Sequence, residues 1–326
     1  MCYGFLKWVN ILHLIDQTCF CALIGTVEME KPWRPVIWES KTKTELMENI
    51  IFYKPLNSSV TQARVLLVGP VGVGKSSFFN SINSIFRGHV TSQAISGSSA
   101  TSLTTQVSRP LPFVLCDTMG LEEGERAGLD IDDISNILKG HLPDRYQFNP
   151  SSPLQSEAHG FCKSPDLKDK IHCVTYVLDA SKISIMSKKM EKMKDIRRKV
   201  NLMSKLGIPQ LVLLTKVDEA CSLVKKDIRN VYKSNDIKDK AAAQVGVPLS
   251  CIIPVKNYSE ELELDTNIDI LLLSAVVQML RFADNFFDEI SDQMRSVTTV
   301  EKPSVRSLFA VEGSKEMQEK SSVVTI

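Results

Sequence analysis

Gly69-Pro70-Val71-Gly72-Val73-Gly74-Lys75-Ser76 is the stretch whose reading decides the fold. The apolar run Val65-Leu66-Leu67-Val68 leads into it, and Ser77 to Phe86 reads as a helix after it. This is the pattern G-x-x-x-x-G-K-[ST] set between a buried strand and a helix, the context in which it binds phosphate. A phosphate cradle needs backbone N–H groups turned inward, and side chains at the glycine positions would block the approach. Gly69, Val71, Gly72, Val73, Gly74 and Ser77 are therefore expected around the phosphates, with the Lys75 ammonium on the β- and γ-phosphates. The Ser76 hydroxyl is the expected ligand of Mg²⁺, and the positive end of the following helix faces the anion. A glycine-rich turn that binds nothing is the competing reading; the agreement of strand, loop and helix argues against it.

Downstream, apolar strands alternate with helical segments. Pro112-Phe113-Val114-Leu115-Cys116-Asp117 is a second buried strand, ending in a carboxylate and followed by Thr118-Met119-Gly120. Ile171 to Ala180, Pro209 to Leu214 and Cys251 to Val255 read as further strands. Asp130 to Gly140, Ser184 to Leu206 and Asp269 to Phe287 read as helices, the last a core helix because its apolar run carries Asp269, Gln278, Arg281 and Asp284. The pattern predicts an α/β fold, a mostly parallel sheet flanked by helices, in the manner of a P-loop NTPase. Ligands of such sheets bind beyond the carboxyl ends of the strands, where the glycine loop, Asp117 and Asp218 all fall.

Asp117 in D-x-x-G is expected to hold Mg²⁺, directly or through water, and Gly120 to donate its N–H to a γ-phosphate. Thr215-Lys216-Val217-Asp218 is T-K-x-D, a base reader. A carboxylate accepts two hydrogen bonds from the N1–H and exocyclic amine of guanine, a donor pair that adenine lacks on that edge. The nucleotide expected is thus GTP or GDP, with Thr215, Lys216 and Asp218 at the base and the Lys216 stem along it. The loop Val255-Lys256-Asn257-Tyr258 is expected to cap the base, with Lys256 as the contact. A switch threonine closing over Mg²⁺ is sought in the Ser/Thr-rich stretch Gly88 to Arg109; Thr101, Thr104 and Thr105 qualify, and Thr101 is taken as the metal ligand. The residue after D-x-x-G, where Ras-like GTPases place a water-orienting glutamine, is Leu121. Binding with slow hydrolysis, or hydrolysis that awaits a partner or self-association, follows from that substitution.

Composition bounds the rest. A net charge of +1 gives no global field for nucleic acid or anionic membrane. Eight scattered cysteines, some within strand-like runs, suit reduced thiols in a cytoplasmic protein. Residues 1–39 read as a leader and linker, poorly ordered by itself, in which Asp16 opposes a transmembrane span. Residues 40–290 form the nucleotide-type domain with a preceding helix, Ser40 to Tyr53, and 291–326 a disordered tail. The basic stretch Lys188 to Lys199, with Glu191 and Asp195 interleaved, reads as a solvated helix face and not a specific nucleic-acid site. His159 with Cys162, and His172 with Cys173, fit no familiar zinc spacing.

Beyond single motifs, the chain resembles the interferon-induced protein 44 family, comprising the 44 and 44-like proteins. The likeness is carried by Ala63-Arg64-Val65-Leu66-Leu67-Val68-Gly69-Pro70, Gly74-Lys75-Ser76-Ser77-Phe78-Phe79-Asn80-Ser81, Leu115-Cys116-Asp117-Thr118-Met119-Gly120-Leu121, Asp144-Arg145-Tyr146-Gln147-Phe148-Asn149 and Leu213-Leu214-Thr215-Lys216-Val217-Asp218. It runs from about Trp33 to Phe287. The resemblance implies a GTP-binding P-loop domain in a cytoplasmic, interferon-induced protein of the antiviral or innate immune response. Two departures stand out. Longer members carry an N-terminal TLDc-type domain, for which the leader is too short. The connection from Thr104 to Pro110 is also shorter than theirs, and Pro110 with Pro112 argues against a strand there, so the edge hairpin beside the switch is expected to be absent.

Overall fold

The computed structural model describes residues 28–91, 100–104, 110–122, 129, 131–142, 146, 155–158, 160–183, 187–203, 207–244 and 247–300. The leader through residue 27, most of the expected switch loop including Thr105, and the tail after 300 lie outside these described residues.

A six-stranded sheet organises the molecule, in the order β2-β3-β1-β4-β5-β6. Strands β1 (Ala63–Val68), β3 (Pro110–Asp117), β4 (Cys173–Asp179), β5 (Gln210–Thr215) and β6 (Ile252–Pro254) run parallel. β2 (Ala100–Thr104) joins antiparallel to β3 at one edge. The central strands are apolar without alternation because helices bury both of their faces; every residue of β4 is buried. Pro254, which cannot donate to a ladder, sits on edge strand β6, where no neighbour asks it to.

The helices are α1 (Ser40–Ile51), α2 (Lys75–Arg87), α3 (Ile131–Lys139), α4 (Ser187–Met203), the short α5 (Val217–Ala220) and α6 (Ser222–Lys226), α7 (Asn235–Gln244) and α8 (Thr266–Val300). Helices α1, α2 and α8 pack with one another or on β1 and β4, while α3 packs on α4. The stripe Leu272, Val276, Met279, Leu280, Ala283 and Phe287 of α8 is buried, as its spacing predicts. α8 is long and apolar enough by composition to cross a bilayer, but 61% of its apolar 18-residue window is buried within the protein. Trp33 anchors the linker, edge-on to Tyr232 at 4.9 Å between ring centroids.

Two sequence expectations change. The edge strand is present: Ala100 pairs with Cys116, Thr101 with Leu115 and Ser102 with Val114. The prolines are absorbed by irregularity, since the register shifts between Ser102 and Thr104, and Thr104 faces Pro110, the first residue of β3. A proline is tolerated at the start of a strand and at a bulge. Second, α8 runs on to Val300, past the boundary at 290. Asp265 starts it by accepting the N–H groups of Asn267 at 2.8 Å and Ile268 at 3.0 Å. Its last buried apolar residue among those described is Ile290.

Candidate functional site

The phosphate end is built by β1, its loop and α2. Gly74 has φ of +95°, a conformation that L side chains rarely adopt, and an added Cβ would lie 2.8 Å from Asn257 Nδ2. The chain thereby turns directly into α2. Lys75 is buried, and its Nζ donates to the carbonyls of Gly69 at 2.9 Å and Pro70 at 3.1 Å. Burial pulls its ammonium below the usual lysine range, opposed by the charge of Asp117.

Asp117, at the carboxyl end of β3, accepts the Ser76 hydroxyl on Oδ2 at 2.7 Å. Its Oδ1 is buried without a hydrogen-bond partner. Burial raises its pKa, against the Ser76 hydrogen bond, the Lys75 charge and the Thr118 amide. A buried carboxylate oxygen left open beside a serine hydroxyl is a donor set that fits a hard divalent cation. Ser76 and Asp117, expected as metal ligands from far apart in the sequence, are thus in direct contact. Thr101 is placed inside β2, opposite Leu115, and Thr104 lies in the same strand; neither is in a loop, as the sequence reading had them.

The segment after Asp117 is zipped to the phosphate loop by a bridge between Pro70 and Leu121. Leu121 N–H donates to Gly69 O at 3.0 Å, and Val71 N–H donates to Leu121 O at 3.3 Å. Gly120 presses against Val71 so closely that a Cβ would come within 2.3 Å of Val71 Cγ2. Leu121 is fully buried and Val71 half-exposed.

At the base end, Thr215 is fully buried. Its Oγ1 lies 2.6 Å from Val73 O and 2.9 Å from Leu178 O. It braces the phosphate loop and offers no surface to a ligand. Lys216 takes a left-handed conformation, φ 55°, and its ammonium pairs with the buried Asp179 at 3.1 Å. Asp218, in the first turn of α5, remains partly exposed and meets Lys256 Nζ at 3.4 Å, while Lys256 also holds Glu261 at 2.7 Å. Asn257 Nδ2 donates to Gly74 O at 3.1 Å. Phosphate-side and base-side segments are therefore tied together by Thr215 and Asn257.

Asp179 was not singled out from sequence, and Asn257 was named only as a member of the base-capping loop. Asp179 carried a usable signal, since it ends a buried strand as Asp117 does. The Leu121 bridge is made by backbone atoms and leaves no mark in residue identity. His172 is a core residue: its Nδ1 accepts Arg64 N–H at 2.9 Å and Nε2 faces Leu167 O at 2.9 Å. Burial lowers its pKa to about 4. Cys173 is buried and its thiol is pushed up to about 12. No cluster of three or more metal-ligating side chains occurs among the described residues; His159 is not among them.

Sheet order, glycine loop, strand-end carboxylates and base-side lysine together define a P-loop domain of the GTPase class. A family model described as 50S ribosome-binding GTPase matches residues 64–216. Interferon-induced protein 44-like of Homo sapiens is 45% identical over 269 residues, covering 78% of this chain and 59% of its own length. Interferon-induced protein 44 of Homo sapiens is 41% identical over 262 residues, 76% of this chain and 58% of its own length. The Mus musculus protein 44 is also 41% identical, over 261 residues, 76% of this chain and 61% of its own. The chain is thus a relative of the interferon-induced 44 and 44-like proteins, and it spans about three-fifths of their length.

Proposed function

We propose that this chain binds GTP or GDP with Mg²⁺ and turns GTP over slowly, or only when a partner or a second copy supplies the missing group. The observation that carries the reading is the contact of Ser76 with Asp117, beside a buried Lys75 and with one Asp117 oxygen open. Bound Mg²⁺ would offset the charge of the β- and γ-phosphates, and Ser76 and Asp117 are the residues to hold it. Lys75 would exchange the carbonyls of Gly69 and Pro70 for phosphate oxygens. Asp218 is the residue to accept hydrogen bonds from guanine.

Slow turnover is supported at Leu121. An apolar side chain cannot orient water, and this one is buried with its backbone tied to Gly69 and Val71. The relatives' names suggest that this chain too is interferon-induced, and a cytoplasmic role in innate or antiviral defence accompanies that suggestion. A second reading, an interaction scaffold indifferent to nucleotide, is favoured by one feature: Lys75 and the Val71 N–H are already satisfied by the loop and by Leu121. Titration with a fluorescent GDP analogue separates the two. Lys75→Ala should weaken binding by roughly a hundredfold, the loss of a charge-assisted contact of about 2–3 kcal/mol. Equal binding by both proteins would overturn the role given to Lys75, and no binding by the unaltered protein would leave the scaffold reading standing.

A further inference from the structure

Behind the base-side loop lies a partly buried ionic device that the phosphate and base motifs do not use. Asp269, in the first turn of α8, is fully buried. Its Oδ1 accepts the Tyr258 hydroxyl at 2.7 Å. Its Oδ2 pairs with Lys43 Nζ of α1 at 2.7 Å, at an angle poor for a hydrogen bond, so the contact is chiefly ionic. The Tyr258 oxygen has one proton, which goes to Asp269, and it accepts the Asp265 N–H at 2.8 Å. Tyr258 is thereby fixed at its far end by Asp269 of the helix that follows the sheet, and Asp269 is in turn held by Lys43 of the helix that precedes the phosphate loop.

The near end of Tyr258 reaches the phosphate side. Its backbone N–H donates to Ser81 Oγ at 2.9 Å, and that hydroxyl donates to Ser77 O at 2.8 Å, in the first turn of α2. The preceding residue, Asn257, holds Gly74 O. Two consecutive residues of one loop thus grip the end of the glycine loop and the start of its helix. Lys43, Tyr258 and Asp269 all fall outside the matched residues 64–216.

An ion pair with one fully buried member and the other a quarter exposed is a poor way to add stability, because apolar groups of similar volume commonly do as well or better. What the pair supplies is geometry, since each carboxylate oxygen has a different partner from a different element. We propose that the Lys43–Asp269 pair and Tyr258 form a positioning device for the nucleotide site, through which nucleotide binding and the docking of α1 strengthen each other. The inference rests on the nucleotide reading above. Linkage makes the effect reciprocal: a ligand that orders the Asn257–Tyr258 loop tightens α1, and loosening α1 weakens the ligand.

GDP titration and hydrogen exchange of residues 40–51, with and without GDP, test it on the whole chain. In the unaltered protein GDP should slow exchange in α1. Tyr258→Phe, which removes only the hydroxyl, should weaken GDP binding about five- to tenfold and abolish that slowing. The double variant Lys43→Met with Asp269→Asn keeps a partner for Tyr258 but cuts the tie to α1. By reciprocity it should weaken GDP binding about three- to tenfold, and GDP should no longer protect α1. If Tyr258→Phe does not fold, the double variant alone decides the matter. GDP binding that leaves α1 exchange unchanged in the unaltered protein would overturn the coupling, as would unweakened binding by a folded Tyr258→Phe. Absence of GDP binding by the unaltered protein would instead remove the nucleotide reading, and this inference with it.

Discussion

Thr215 Oγ1 lies 2.6 Å from the carbonyl oxygen of Val73. That contact joins the last residue of β5 to the middle of the glycine loop, 142 positions earlier in the chain. It makes the geometry of the phosphate loop depend on the strand that presents the base reader.

Thr215→Val keeps the shape and removes the hydroxyl, so a buried brace is lost with little change of volume. The expected cost is about 1–3 kcal/mol of stability, seen as a lower urea midpoint with unchanged slope. GDP affinity should fall as well, because the loop is less fixed. A variant as stable as the parent would show the contact to be incidental.

Asp218→Asn reverses the donor and acceptor pattern presented to the base. Guanine nucleotides should bind more weakly and xanthosine triphosphate should gain. Competition of the two triphosphates against a fluorescent GDP analogue checks this. An unaltered preference would place the base elsewhere.

Leu121→Gln tests the proposal that Leu121 keeps turnover slow. If only the missing amide mattered, a glutamine would restore hydrolysis. Leu121 is fully buried, so the amide would have to be buried with it or pull the segment away from Gly69 and Val71. We expect a loss of stability of about 2–4 kcal/mol and no gain in phosphate release. Faster release at unchanged stability would contradict the closed arrangement of this segment.

His172 gives a pH signature. Its folded pKa is lowered from 6.5 to about 4 by burial, so between those values the unfolded chain takes up a proton that the folded one refuses. Stability should therefore fall as pH drops from 6.5 toward 4 and be indifferent to this group above that window. The full effect is of order 3 kcal/mol. Urea midpoints at several pH values should show a shallower fall for His172→Gln, which can still bond Arg64 N–H and Leu167 O. An identical fall in both proteins would assign the pH dependence to other groups.

Chain order and residue type were enough to determine the class of fold and to mark where its candidate site lies. Val65 to Val68 before a glycine loop, and Asp117 and Asp218 each just past a strand, are signals written in residue identity, because burial demands apolar runs and phosphate and base recognition demand particular side chains. Only the tertiary structure decided what those residues do to one another. Thr215 proved to be a brace and not a contact surface, since its hydroxyl is consumed by carbonyls distant in sequence. Leu121 is tied down through its backbone, which every residue type shares, so no pattern could announce it. The edge strand Ala100–Thr104 also escaped the sequence, because prolines that forbid a regular ladder are harmless where the register slips. The Lys43–Asp269 pair joins two helices that are far apart in sequence but packed together, and pairing across such a sequence separation is settled by packing and not by local preference.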